Sequence, residues 1–226
     1  MCTVSFVPLK DGICITSNRD ENVERGNTTI PLKYTFNGTV LTYPKDEKSN
    51  GTWIGFNEYN SIAVILNGAF NNHQHQPPYR HSRGLIIPQI LSQKNSMQAM
   101  EFFSCHELEP FTLILFYENN LFEFRWNGIQ LYKNHLSTSN VYVWNSATLY
   151  TNQQEKNNQL ALEKVYQQGI SKSSIIQFHA SKKYEHQLPQ NSLINNIKTI
   201  SITQVVYNNQ GVKMQYNNLK ELQDSF

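Results

Sequence analysis

Residue 2 is a cysteine, and removal of Met1 would leave it carrying both a thiol and a free α-amine. An α-amine titrates near ~7.7–8.0 in water, so it accepts a proton at neutral pH without help from a histidine. A thiol with an ordinary value near ~8.5 needs only a modest downward shift to become largely thiolate. Nucleophile and base on one residue is equipment for acyl transfer. The plain alternative is a small buried side chain on a first strand. The stretch Ser17-Asn18-Arg19-Asp20-Glu21 is the natural partner. A guanidinium beside the thiol favours its charged form, and a carboxylate can order the amine. By itself, such a run at a strand end is usually a solvated turn.

Other chemistry-bearing residues are fewer. His73-Gln74-His75 with His81 has the look of a ligand set, but it lies in a polar Asn/Gln/Pro loop. No further Cys, Asp or Glu completes a set, so the histidines read as solvent-facing and neither a metal nor a cofactor is expected. Arg83, with Tyr79-Arg80 before it, either rims an anionic pocket at a helix start or pairs with a carboxylate at a sheet edge. Cys14 and Cys105 read as buried structural thiols.

These residues need elements to position them. Cys2 to Val7 alternates in strand fashion, Asp11-Gly12 offers a turn, and Ile13 to Ser17 returns, so the Arg19 segment comes back beside residue 2. Thr52 to Phe56 and Ser61 to Leu66 predict a second hairpin. Ser82 is placed to cap a helix running to about Leu91, and Asn95 to Phe103 predicts another. Strands are expected at Phe111 to Tyr117, Leu121 to Trp126 and Val141 to Trp144. Helices follow at Gln153 to Gln168, with Leu160, Ala161, Val165 and Tyr166 on its apolar face, and at Lys172 to Ala180. Thr199 to Tyr207 and Val212 to Tyr216 close the chain as a hairpin. The pattern is α+β, and no repeat or linker divides residues 1–226 into more than one domain.

The bulk numbers narrow the function. The 226 residues carry 19 Lys+Arg against 17 Asp+Glu, a net charge of +2. No basic patch concentrates that charge, so nucleic acid is not an expected partner. The apolar runs are far too short for a membrane helix. The N-terminus has no basic region followed by a long apolar one, and three cysteines are few and odd in number. A reducing, cytoplasmic setting is the expectation.

Met-Cys at the start with Ser-Asn-Arg-Asp-Glu at 17–21 resembles the NRDE-motif family, the transport-and-Golgi-organisation type 2 proteins. The likeness continues in Gly51-Thr52-Trp53-Ile54-Gly55, similar to that family's Gly-Gly-Thr-Trp-Leu-Gly. Leu66-Asn67-Gly68-Ala69-Phe70, Ser82-Arg83-Gly84 and Trp144-Asn145-Ser146-Ala147 are similar to later blocks. The resemblance implies an N-terminal-nucleophile (Ntn) hydrolase fold, an αββα sandwich of two antiparallel sheets between helical layers. It implies Cys2 as nucleophile, Arg19 and Asp20 as its tuning groups and Asn67 as an oxyanion-hole donor. Asn18, Glu21, Trp53, Arg83 and Asn145 would line the substrate site. The substrate would be a small acyl-amide or an anionic amphiphile. A non-catalytic carrier of haem or lipid on the same fold is the second implied reading. In two respects the chain departs from the family, the first being Asn50 where the family's Gly-Gly-Thr-Trp has its first glycine. A late Thr-Arg-Thr aligns with Thr199-Ile200-Ser201, so that Arg is missing, although Lys198 stands one residue away.

Overall fold

The computed structural model describes residues 3–22, 28–181 and 197–219. These residues group into two units. The first holds the described residues of 1–26, 140–145 and 149–226, and the second those of 27–139 and 146–148.

In the first unit, β1 (Thr3–Leu9) and β2 (Gly12–Asn22) form the predicted hairpin, tightened to a turn at Lys10 and Asp11. Gly12 has φ of 144°, and a Cβ there would lie 1.9 Å from the Tyr207 carbonyl oxygen, so only glycine fits. β10 (Tyr142–Asn145) pairs with β1. β11 (Ile197–Asn208) pairs with β2, and β12 (Gly211–Asn218) follows it across the expected final hairpin. All five strands run antiparallel to their neighbours, in the order β10-β1-β2-β11-β12.

Two helices cover one face of this sheet. α3 (Asn152–Gln167) and α4 (Lys172–Ala180) each begin with a capping box, Thr151 with Gln154 and Ser171 with Ser174. Leu162, Ile175 and Phe178 from the helices join Val7, Cys14, Val143 and Val206 from the strands in one core cluster. The predicted apolar face of α3 is misplaced. Leu162 is the buried residue, whereas Leu160 is 57% exposed. The physical reason lies in two amides on that same face. Gln159 bonds the Val143 N–H and the Val141 carbonyl, and Asn158 donates to Asn145. The helix therefore meets an edge strand through hydrogen bonds as well as through apolar contact, and hydrophobic spacing alone does not mark such a face.

The second unit is a seven-stranded antiparallel sheet: β3 (Leu32–Phe36), β4 (Thr39–Tyr43), β5 (Ile54–Asn57), β6 (Ile62–Asn67), β7 (Phe111–Tyr117), β8 (Asn120–Trp126) and β9 (Leu131–Leu136), in chain order. α1 (Ile86–Leu91) packs on β4, β5 and β6, and α2 (Ser96–Glu101), capped by Asn95, follows it. The helix expected from Ser82 is shorter. Arg83–Leu85 is a 3-10 turn, and the Ser82 side chain makes no cap bond. Pro88 has no N–H to offer the Gly84 carbonyl four residues back. That oxygen instead accepts from Thr52 N at 2.9 Å. No helix among the described residues is long and apolar enough to cross a membrane.

Candidate functional site

The Asn-Arg-Asp-Glu run lies within β2 rather than in a turn, so alternation decides which side chains share a face. Ser17, Arg19 and Glu21 fall on one face, and Asn18 and Asp20 on the face that carries α3 and α4. Arg19 is only 1% exposed and stands opposite Ser201 of β11, as Ser17 stands opposite Thr203. A buried polar strip results, unusual in the middle of a sheet. The hydroxyls of Ser201 and Thr203 find no hydrogen-bond partner among the described residues.

Asn18, expected at the substrate, points the other way, toward α4. Its Nδ2 donates to the His179 carbonyl at 3.1 Å, and its Oδ1 meets His179 Nδ1 at 2.6 Å. Because Nδ2 must face the carbonyl, Oδ1 must accept, so Nδ1 carries a proton. In the neutral ring Nε2 then accepts from Ser5 Oγ, 2.7 Å away. Ser5, Asn18 and His179 are all fully buried. This Ser–His–Asn chain pins the last turn of α4 to β1 and β2. The sequence reading missed it; the signal was a histidine ending a short helix over a strand whose inner positions are polar.

Asp20 accepts from Thr199 Oγ1 at 2.5 Å, where the β2–β11 register slips between Thr199 and Ser201. It braces the irregularity that sets Ser201 across from Arg19. Lys198 pairs in register with Glu21 and is exposed, so it places no second cation in the buried strip. Asn145 turns toward α3: its Nδ2 donates to Thr3 Oγ1 at 2.8 Å and its Oδ1 accepts from Asn158 at 3.1 Å. Cys2 lies outside the described residues. Cys14 and Cys105 are buried, and burial pushes each thiol up to about 11.

The remaining expected site residues belong to the second unit. Asn67 ends β6, half-buried, and its carbonyl accepts from Ser146 Oγ at 2.8 Å. Trp53 is 3% exposed. Of the two roles open to Arg83, the carboxylate pair is the one formed. It meets Glu109 Oε2 at 3.0 Å and donates to the Pro110 carbonyl. His73 and His75 share the other oxygen of Glu109, each at 3.2 Å. Burial raises the Glu109 pKa, but Arg83 and the two imidazoles outweigh it and hold the carboxyl below its ordinary range. The acid that sequence proximity did not supply is thus 34 residues or more away in the chain. No group of His, Cys, Asp or Glu among the described residues is arranged to hold a metal.

Two antiparallel sheets with few helices are a known arrangement. An N-acylethanolamine-hydrolyzing acid amidase ortholog from Caenorhabditis elegans is similar at a TM-score of 0.61 and 15% identity, covering 95% of this chain and 100% of that one. Penicillin V acylase from Agrobacterium tumefaciens gives a TM-score of 0.54 at 12% identity, with 98% and 87% covered. A mutant of the conjugated bile acid hydrolase from Clostridium perfringens gives 0.59 at 8%, with 98% and 93% covered. The chain therefore has the α+β fold of the Ntn hydrolases. No curated protein sequence matches it. The family model for transport and Golgi organisation 2 matches residues 1–223, and the chain belongs to that family.

Proposed function

We propose that the chain is an Ntn-type cysteine hydrolase that cleaves the acyl C–N bond of a small, non-peptide amide after Met1 is removed. One observation carries the reading, the register of β1 on β2. Val4 pairs with Ser17, and Arg19 lies two residues further along β2 on the same buried face. Cys2 would stand across from that guanidinium, which favours the thiolate. Its sulfur would attack the acyl carbon while the thiol proton passes to the α-amine. Collapse would break the C–N bond, and the leaving amine would depart with that proton. Water would then cleave the thioester, releasing a carboxylic acid and restoring the thiol. The hydroxyls of Ser201 and Thr203 would offer polar contacts to the substrate. The bond type is supported by the names of the similar structures, an N-acylethanolamine amidase, an acylase and a conjugated bile acid hydrolase.

A carrier reading on the same fold is favoured by one feature. Ile200, 4% exposed, occupies the place where the family resemblance expects an arginine. Intact-mass measurement of the purified protein, followed by a panel of N-acyl amides with wild type and Cys2→Ala, separates the readings. Loss of Met1 and hydrolysis abolished in Cys2→Ala is the expected result. A retained Met1, or an amide bound tightly without turnover, would overturn the hydrolase in favour of the carrier.

A further inference from the structure

A groove of about 530 Å³ opens on the second unit between the β3–β4 turn, α1 and the segment after α2. That volume lies in the range of small-molecule sites, roughly 300–1,000 Å³. Its apolar wall is Phe36, Ile90, Phe102 and Phe103. Phe102 is 81% exposed and Phe36 is 41% exposed. Aromatic side chains so exposed at one concave place mark a binding surface rather than a packing fault.

The polar lining is one-sided. Arg80 reaches over the Phe103 ring, 5.8 Å from its centroid, and donates to the Ser104 carbonyl at 2.6 Å. Among the described residues no carboxylate lies within ion-pair distance of it. His81 stands beside it, its Nδ1–H donating to the Ser82 carbonyl at 2.9 Å. Among the described residues no Asp or Glu lines the groove. Arg83 and Arg125, by contrast, each meet a glutamate.

We infer that this groove binds a small amphiphile whose single anionic group, a carboxylate or sulfonate, pairs with Arg80 while its apolar body lies against Phe36, Phe102 and Phe103. A guanidinium anchored by one N–H keeps its remaining donors for an anion. The site draws on no residue used in the proposed hydrolysis.

Fluorescence titration with anilinonaphthalene sulfonate, and with neutral phenylnaphthylamine, tests this on the full chain. Both probes should bind one to one. Arg80→Gln should weaken the sulfonate about tenfold, the loss of one charged hydrogen bond, and leave the neutral probe unchanged. Phe102→Ser should weaken both, and Cys2→Ala neither. Decanoate should displace the sulfonate at a lower concentration than decanol does. Equal sulfonate affinity in Arg80→Gln would overturn the proposal, as would loss of binding in Cys2→Ala. Circular dichroism of Arg80→Gln should superimpose on wild type; if it does not, Arg80→Lys, which keeps the charge, must retain sulfonate binding or the inference fails.

Discussion

Gly51 and Gly84 pass so closely that a Cβ on Gly51 would lie 2.6 Å from the carbonyl carbon of Gly84. The contact joins two sequence blocks, Gly51-Thr52-Trp53 and Ser82-Arg83-Gly84, more than thirty residues apart. Thr52 N donates to the Gly84 carbonyl beside it, so the backbones cannot separate without losing that bond.

Gly51→Ala should therefore destabilise the protein by about 1–3 kcal/mol, the usual cost of forcing extra volume into a closed contact. Thermal unfolding checks it, with a midpoint several degrees lower expected. An unchanged midpoint would show that the two segments part freely.

Asn18→Ala removes the acceptor of the buried His179 Nδ1–H. Leaving such a group unsatisfied costs about 1–3 kcal/mol. The urea midpoint should fall with an unchanged slope, and Ser5→Ala should cost less, since it removes a donor that the other side of the ring can lose more cheaply. Equal costs would mean the chain of bonds is not oriented as described.

Glu109 is held below its ordinary carboxylate range, the net of burial against Arg83, His75 and His73. A group with a depressed folded pKa stabilises above its unfolded value and loses that stabilisation as pH falls through the folded one. The stability gap between wild type and Glu109→Gln should accordingly be open near pH ~5 and close toward pH ~3, below the unfolded value of roughly 4.3. Chemical denaturation at both values measures it. A gap that widened on acidification would reverse the sign and the assignment.

Burial pushes Cys14 and Cys105 up to about 11, so neither is appreciably thiolate at neutral pH. Brief iodoacetamide treatment of the native protein should alkylate Cys2 first, as peptide mapping would reveal. Early label on Cys14 or Cys105 would place the reactive thiol elsewhere.

Arg19→Met keeps much of the buried volume and removes the cation. If Cys2 faces that position, its thiol pKa should rise, because the thiolate loses its counter-charge. Thiolate absorbance across a pH titration reports this in a Cys14→Ser/Cys105→Ser background. A titration curve that superimposes on that of the parent would put Arg19 out of reach of the thiol.

Local patterning determined much of the fold. The β1–β2 hairpin, α4 over Lys172–Ala180 and the β11–β12 hairpin are legible because each buries a regular set of side chains or carries its own turn and cap residues. β9 was not legible: Leu131–Leu136 buries none of its residues fully and is ordered by pairing with β8. β3 and β4 were missed for a different reason. Asn37-Gly38, with φ of 51° and 80°, is the turn signal that joins them, and its meaning depends on the weakly apolar, exposed β3 beside it. The motif at 18–21 named its residues but not their facing, because a strand turns adjacent side chains to opposite sides. Only the pairing of β2 with β11 put Arg19 beside Ser201, and only the packing of α4 on β2 put Asn18 beneath His179. Glu109, likewise, meets His73, His75 and Arg83 through the closure of a long loop, a contact that no spacing along the chain encodes.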